Sequence, residues 1–356
     1  MNQIIFGDCI ETMKDLISKG VKVQTCVTSP PYFGLRDYGV DGQIGLEETP
    51  QAYVDKMVEV FRCVKDLLAD DGTLWLNLGD SYASYRDGKA TPDTARGNSI
   101  GTLVPKGLAS NRKASTFSNS TIKHKDLIGI PWRVALALQA DGWYLRQDII
   151  WAKPNPMPES VTDRCTKSHE YIFLMSKNPK YYFDHEAIKE PCAESSYKRW
   201  NQDIENQVGS NRVPGKTNGN MKAVGIPTKI RFGGNKYGDS DDPKHATKSG
   251  NCYVDTGTRN KRSVWTQTVK PYKGAHFATF PTQLIEPCVL AGSRIDDIVF
   301  DPFMGSGTTA QVAIENGRQY LGCELNPEYE KLQKERINEA LGTLLIKNAM
   351  GMNLFD

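Results

Sequence analysis

The 356-residue sequence predicts an α/β fold, a doubly wound, Rossmann-like sheet carrying a long inserted region. Three observations predict it. Near the C-terminus a short apolar run, a Gly-rich turn, an amphipathic stretch and a second apolar run follow one another in the order of a βαβ unit. Near the N-terminus two apolar runs flank a helix-period segment, and the second run ends in the rigid turn Thr28-Ser29-Pro30-Pro31-Tyr32. Between these ends lie two polar stretches without periodicity, so the sheet is expected to be assembled from both ends of the chain.

In chain order, Gln3 to Phe6 and Val21 to Thr28 read as short buried strands. Ile10, Met13, Leu16 and Ile17 recur at helical spacing between them. Gln51 to Ala69 is an amphipathic helix stopped by Asp71-Gly72, and Thr73 to Leu78 a strand. Arg86 to Lys125, rich in Ser, Thr, Asn, Gly and Lys, reads as a mobile loop. Ile130 to Ala140 is a helix opened by Pro131 and stopped near Gly142, followed by strands at Tyr144 to Trp151 and Glu170 to Ser176. Glu194 to Lys273 is again polar and Gly-rich, with aromatic residues interspersed. Asp297 to Asp301 is a strand, Pro302 to Gly307 the turn, Thr308 to Asn316 a helix closed by Gly317, and Gln319 to Glu324 a strand ending in a carboxylate. Asn326 and Pro327 then supply the N-cap and first residue of a further helix.

The net charge of +2 hides a strong asymmetry. Arg86 to Lys125 holds eight Lys or Arg against two Asp or Glu, and Pro191 to Ala275 holds 15 against seven. Basic segments of this kind suit a polyanion, since phosphate neutralisation supplies affinity independent of sequence. The eight cysteines form no C-x-x-C pair and the histidines show no ligand spacing, so neither a disulfide framework nor a metal site is expected. With no signal-peptide pattern and no run of roughly 18 apolar residues, a cytoplasmic protein without a membrane partner is expected. Trp75, Trp132, Trp143 and Trp151 read as core.

The Gly-rich turn has the spacing Gly305-x-Gly307-x-x-Ala310, which permits close approach of a ligand to backbone. Glu324 follows at the distance where a carboxylate commonly grips ribose hydroxyls. A nucleoside-type ligand follows. The turn opens with Asp301 and Phe303, and a carboxylate suits a cationic ligand better than a pyrophosphate. S-adenosylmethionine, with an ammonium and a sulfonium, fits that description.

Ser29-Pro30-Pro31-Tyr32 follows a strand and so sits at the carboxyl edge of the sheet, where open α/β sheets bind ligands. Two prolines remove two N–H donors and leave carbonyl oxygens as acceptors. Acceptors placed on the hydrogens of an exocyclic amine favour the pyramidal nitrogen whose lone pair attacks a methyl sulfonium. Ser29 Oγ and the Pro30 carbonyl are the candidates, with the Tyr32 ring stacking on the base. Alignment and preorganised electrostatics would then carry the reaction. A base inside a duplex must be flipped out to reach such a pocket.

These residues resemble the β-group amino-methyltransferases acting on DNA, over most of the chain outside the two polar stretches. The resemblance implies that Asp301, Phe303, Gly305, Gly307 and Thr308 hold S-adenosylmethionine, with Glu324 on its ribose. Gly7-Asp8 matches a short family motif whose carboxylate, Asp8, would reach the donor's adenine amine. His276 to Pro281 matches a motif lining the methionine end, which adds His276, Phe280 and Pro281. The segments Gly142 to Ser160 and Lys167 to Lys177 look like sheet segments completing the target pocket, and no catalytic role is carried onto them. The family implies a doubly wound methyltransferase sheet in three parts. Residues 1–189 form the catalytic part with the basic loop 86–125, residues 190–273 a target-recognition insertion, and residues 274–356 the donor-binding part.

The expected reaction is methyl transfer to an exocyclic amine of a flipped base in DNA. Ser at the first position of x-P-P-Y resembles the cytosine-N4 enzymes of the family, whereas Asp there typifies adenine-N6 enzymes, so cytosine N4 is preferred and adenine N6 is the alternative. Two other classes remain open at this point. A dinucleotide-dependent oxidoreductase explains the Gly-rich unit alone, and a non-enzymatic DNA-binding protein explains only the basic segments. A cognate restriction endonuclease is a possible partner, and a monomer or homodimer the expected state.

Overall fold

The computed structural model describes residues 1–83, 122–194, 257–269 and 280–349. The basic loop expected over Arg86 to Lys125, apart from 122–125, lies outside these residues, as do most of the segment expected as the insertion and His276.

The chain divides into two compact units, residues 188–261 forming one and the rest the other. Of the smaller unit the described part is a two-stranded antiparallel pair, β6 (Glu190–Pro191) with β7 (Thr258–Arg259). Arg259 Nε donates to Glu190 Oε1 at 2.9 Å across it. Val264–Thr266, inside the range 190–273 expected as the insertion, belongs instead to the larger unit, because it pairs as β8 with the main sheet.

The larger unit is built on a sheet whose described strands are β1 (Gln3–Phe6), β2 (Val23–Thr28), β3 (Leu68–Leu78), β4 (Tyr144–Ala152), β5 (His169–Ser176), β8, β9 (Ile298–Asp301) and β10 (Gln319–Glu324). Their spatial order is β1-β10-β9-β2-β3-β5-β4-β8. The two ends of the chain thus interleave: β1 pairs with β10 and β2 with β9, all parallel. Among the described strands only β5 runs the other way, antiparallel to both β3 and β4. Its first residues therefore lie at the edge where the parallel strands end.

The helices are α1 (Cys9–Ser18), α2 (Pro50–Leu67), α3 (Ile130–Ala140), α4 (Thr282–Gly292), α5 (Thr308–Glu315) and α6 (Glu330–Ala349). Each boundary has a local cause. Asp8 caps α1 by accepting from Ile10 N and Glu11 N, and Thr49 caps α2 by accepting from Ala52 N. Gly129 precedes α3 and offers no side chain, so Asp80 supplies the cap from another segment, accepting from Gly129 N and Ile130 N. The expected turn at Asp71-Gly72 lies inside β3. The register between β2 and β3 shifts there, Val23 opposing Leu68 and Thr25 opposing Thr73. A Cβ on Gly72 would sit 2.9 Å from the Ala69 carbonyl, so the irregularity needs glycine.

Every residue of β2 is buried, as expected of a central parallel strand covered on both faces. α1, α2 and α3 bury Met13, Met57, Phe61 and Val134 against β3 and β5 in one apolar cluster. Of the tryptophans read as core, Trp75, Trp143 and Trp151 are buried. Trp132 is not: it lies on the outer part of α3 and meets Tyr171 and Phe173 edge-on.

Candidate active site

The strands β9 and β2 are neighbours, yet the chain leaves β9 toward β10 on one side and leaves β2 toward β3 on the other. This is a topological switch point, where the carboxyl edge of an open α/β sheet forms a crevice. The Gly-rich turn and the Ser29 turn both start at it. Thr28 Oγ1 donates to Asp301 Oδ1 at 2.6 Å, joining residues 273 apart in sequence across the switch.

On the β9 side, Asp301 is only 1% exposed, and its carboxylate also accepts from Phe303 N at 3.0 Å and Thr309 Oγ1 at 2.7 Å. Burial raises its pKa to about 6 despite these donors. The expected contact between this carboxylate and a cationic ligand is therefore corrected. Three protein donors occupy it, and it ties the end of β9 to β2 and to the start of α5.

Glu324, at the end of β10, accepts from Gly305 N at 2.7 Å and from Asn326 N at 2.8 Å, and burial raises its pKa to about 7. Gly305 and Gly307 both take positive φ, 54° and 87°, which lets the turn double back over the strand ends. Gln333 of α6 donates to the Gly305 carbonyl, and Arg336 of α6 donates to Thr308 Oγ1. The Thr308 hydroxyl thus faces α6. Ser306 Oγ is buried and has no hydrogen-bond partner among the described residues. An orphaned hydroxyl inside a Gly-rich turn is what a bound polar ligand would satisfy.

Asp8 is exposed at the end of β1, beside Glu324, since Phe6 and Glu324 are register partners. Its Oδ1 serves the helix cap, so only its other oxygen is presented outward. Phe303 packs against the main core. Phe280 is half-buried, and the buried Pro281 stands at the start of α4. The strand ends β1, β10, β9 and β2 thus bring Asp8, Glu324, Asp301 and Ser29 to one edge. His276 falls outside the described residues.

On the β2 side, the Pro31 carbonyl is taken by the Tyr53 hydroxyl at 2.9 Å, whereas no described donor is bonded to the Pro30 carbonyl. Ser29 Oγ donates to Tyr32 Oη at 3.4 Å. Tyr32 Oη donates to Glu170 Oε2 at 2.8 Å and lies 3.2 Å from Asn77 Oδ1. Burial holds the phenol well above its ordinary pKa, so it remains protonated. Its ring lies against Gly79, where a Cβ would come within 2.4 Å of Cε2. A small cavity opens between Tyr32, Phe33, Leu35, Gly79, Asp80 and Ile130.

The sequence reading did not single out Glu170, Asn77 or Gly79. Glu170 reaches this edge only because β5 is reversed. It pairs with Lys153, at the end of β4, whose ammonium lies 4.1 Å from the centre of the Trp151 ring. Lys167, its pKa lowered by burial, donates to the Asp80 carbonyl at 3.1 Å. Asp80 itself serves the α3 cap. Among the described residues no group of His, Cys, Asp or Glu is arranged to hold a metal.

Known proteins share this fold. A solved PvuII DNA methyltransferase, cytosine-N4-specific, superposes with a TM-score of 0.54 at 16% identity, covering 96% of this chain and 90% of that one. A putative DNA modification methylase from Thermus thermophilus, in complex with S-adenosyl-L-methionine, superposes with a TM-score of 0.52 at 21% identity, covering 96% and 94%. At these identities the likeness is one of fold. The type II methyltransferase M.SmaI of Serratia marcescens is 44% identical over 340 residues, 94% of this chain and 90% of its own length. A family model described as DNA methylase, of the N6/N4 type, matches residues 23–335. With that match running from β2 through α6 and taking in both turns at the switch point, the chain belongs to the N6/N4 family of DNA methylases.

Proposed function

We propose that this enzyme moves a methyl group from S-adenosylmethionine to the exocyclic N4 amine of a cytosine flipped out of DNA. The observation that carries this reading is the pairing of the two turns. Ser29, with an acceptor hydroxyl and an uncommitted Pro30 carbonyl beside it, adjoins the Gly305-Gly307 turn through the Thr28–Asp301 hydrogen bond.

The residues present fit the donor. The positive φ of Gly305 and Gly307, the orphaned Ser306 hydroxyl and the carboxylates of Asp8 and Glu324 on adjacent strand ends suit a nucleoside bearing positive charge. Once bound, S-adenosylmethionine supplies a methyl group on a sulfonium. Asp8 and Glu324 are proposed to hold its nucleoside, with Phe303 beside them. His276, Phe280 and Pro281 are proposed to line its methionine end. Asp301 acts by fixing the turn. Ser29 Oγ and the Pro30 carbonyl accept from the two amine hydrogens, and the Tyr32 ring stacks on the base.

Cytosine is preferred over adenine because the residue before the two prolines is Ser, as in the family's N4 enzymes. The basic segments Arg86 to Lys125 and Pro191 to Ala275 are proposed to grip phosphates, and residues 190–273 to read the site. A partner nuclease of the restriction type is proposed from the likeness to type II methyltransferases.

The test is to incubate the protein with duplex DNA and donor carrying a labelled methyl group, digest to nucleosides and identify the labelled one by mass. N4-methylcytosine is expected. Exclusive recovery of N6-methyladenine transfers the same mechanism to the other base, and no labelled nucleoside defeats the reading.

A further inference from the structure

The Ser29 turn is joined to a charged pair that the proposed transfer leaves unused. A hydroxyl carries one proton and two acceptor sites. Ser29 gives its proton toward Tyr32 Oη at 3.4 Å, so toward the target it presents only lone pairs. Tyr32 has a single proton as well, and two acceptors stand near it. Glu170 Oε2, a carboxylate oxygen at 2.8 Å, outcompetes the amide oxygen Asn77 Oδ1 at 3.2 Å. The Asn77 amide is oriented by its own donation to the Tyr171 carbonyl at 3.0 Å, with a longer approach to Glu170 Oε2 at 3.4 Å. The other Glu170 oxygen is bonded to Lys153 Nζ, and both side chains of that pair are largely buried. The groups facing Glu170 are thus Tyr32, Asn77 and Lys153, with Lys167 adding positive charge from the connection before β5.

An exocyclic amine that attacks a methyl sulfonium acquires positive charge on its nitrogen and must shed a proton. Every member of the chain from Ser29 to Glu170 donates in the same direction, away from the target and toward a carboxylate. We propose that Glu170 is the terminal proton acceptor of the methyl transfer, reached from the target amine through Ser29 and Tyr32.

This rests on the proposed transfer at Ser29. The nitrogen lone pair forms the N–CH3 bond while the pair of the S–CH3 bond returns to sulfur. One N–H proton passes to Ser29 Oγ, the Ser29 proton passes to Tyr32 Oη, and the Tyr32 proton passes to Glu170. The sulfonium becomes a neutral thioether, the base leaves neutral, and Glu170 ends as a neutral acid that later returns its proton to water. Both hydroxyls regain their starting state. Glu170 never touches the substrate and acts only through the two hydroxyls.

The experiment measures single-turnover methyl transfer at saturating donor and DNA, in H2O and D2O, for the wild type, Tyr32→Phe, Glu170→Gln and the double variant. Tyr32→Phe keeps the ring and removes only the hydroxyl. Each single variant is expected to lose about 100-fold in rate, the usual scale of general base catalysis. Donor affinity should stay within about twofold, the double variant should be no slower than the singles, and the wild-type solvent isotope effect should vanish, as for residues acting as one unit. Tyr32→Phe at the wild-type rate, or losses that multiply in the double variant, overturn the relay. Should Glu170→Gln fail to fold, the rate and isotope effect of Tyr32→Phe decide alone. A wild type that labels no exocyclic amine defeats the functional reading itself, whereas a wild type that does so beside a fully active Tyr32→Phe defeats only the relay.

Discussion

The two turns at the switch point are built on opposite principles. At the Gly305-Gly307 turn the carboxylates of Asp301 and Glu324 are consumed by protein donors, which fix the backbone before any ligand arrives. At the Ser29-Tyr32 turn the acceptors proposed to meet the target are left open, and the hydrogen bonds run away from them into a buried ion pair. One turn uses its polarity for shape and the other keeps it for chemistry. That division suits catalysis, in which the donor needs a rigid cradle while the reacting nitrogen needs preorganised acceptors.

The comparison is broken most severely at Asp301. Asp301→Ala leaves the donors of Thr28, Thr309 and Phe303 without a buried acceptor, at a cost of about 2–3 kcal/mol, and donor binding should be lost with the shape of the turn. Urea denaturation and donor titration check both. Asp301→Asn, which keeps an acceptor for Thr28 and Phe303, should retain the fold and a weakened donor site. An alanine variant as stable as the wild type would show that the carboxylate is not a keystone.

Gly79 tests the other side. Alanine there places a Cβ 2.4 Å from Tyr32 Cε2 and pushes the ring off its seat. Turnover should fall about 100-fold, or about 2.7 kcal/mol at the transition state, with donor affinity unchanged. A normal rate would mean that the position of Tyr32 is immaterial.

Ser29→Ala should lower turnover by up to about a hundredfold, about 2.7 kcal/mol, because it breaks the relay at its first step although the Pro30 carbonyl still holds one amine hydrogen. Steady-state kinetics should place the loss in kcat with donor binding intact. Loss of donor affinity instead would assign Ser29 to the wrong turn.

The smallest effect is one of pH. Folding raises Asp301 from 3.8 to about 6 and Glu324 from 4.5 to about 7, in both cases through burial. The folded state therefore binds these protons more tightly than the unfolded chain. The resulting stability is complete below the ordinary carboxylate pKa values and is lost as pH rises through about 6 and about 7. A cationic donor held at Glu324 favours its ionised form, so affinity should rise from about pH 5 to about pH 8 with release of a proton. Calorimetry at about pH 6 in two buffers of different ionisation heat measures that release. No release and a flat affinity would remove Glu324 from the electrostatics of the site.

Much of this was legible before the structure. Periodicity gave α3 and β10 at their observed limits, because Pro131, Gly142 and the Asn326-Pro327 cap punctuate them locally. The two turns were legible because rigid Pro and permissive Gly leave a local signature. What escaped was everything decided by tertiary direction. Asp301 looks like a ligand carboxylate in sequence, and only the proximity of Thr28 and Thr309 shows that it is occupied. Glu170 reads as the start of an ordinary strand, since no local signal says that β5 is reversed. The irregularity at Gly72 carried the right residue, but a turn and a bulge use glycine alike.

The interleaving of the chain's two ends also sets an order in time. β1 finds its partner only in residues 319–324, and Thr28 meets Asp301 only once the chain has grown 273 residues further. During synthesis, β1 and the Ser29 turn must wait, unpaired on that side, until the far end of the polypeptide emerges. The Ser29 turn is thus made first and completed last.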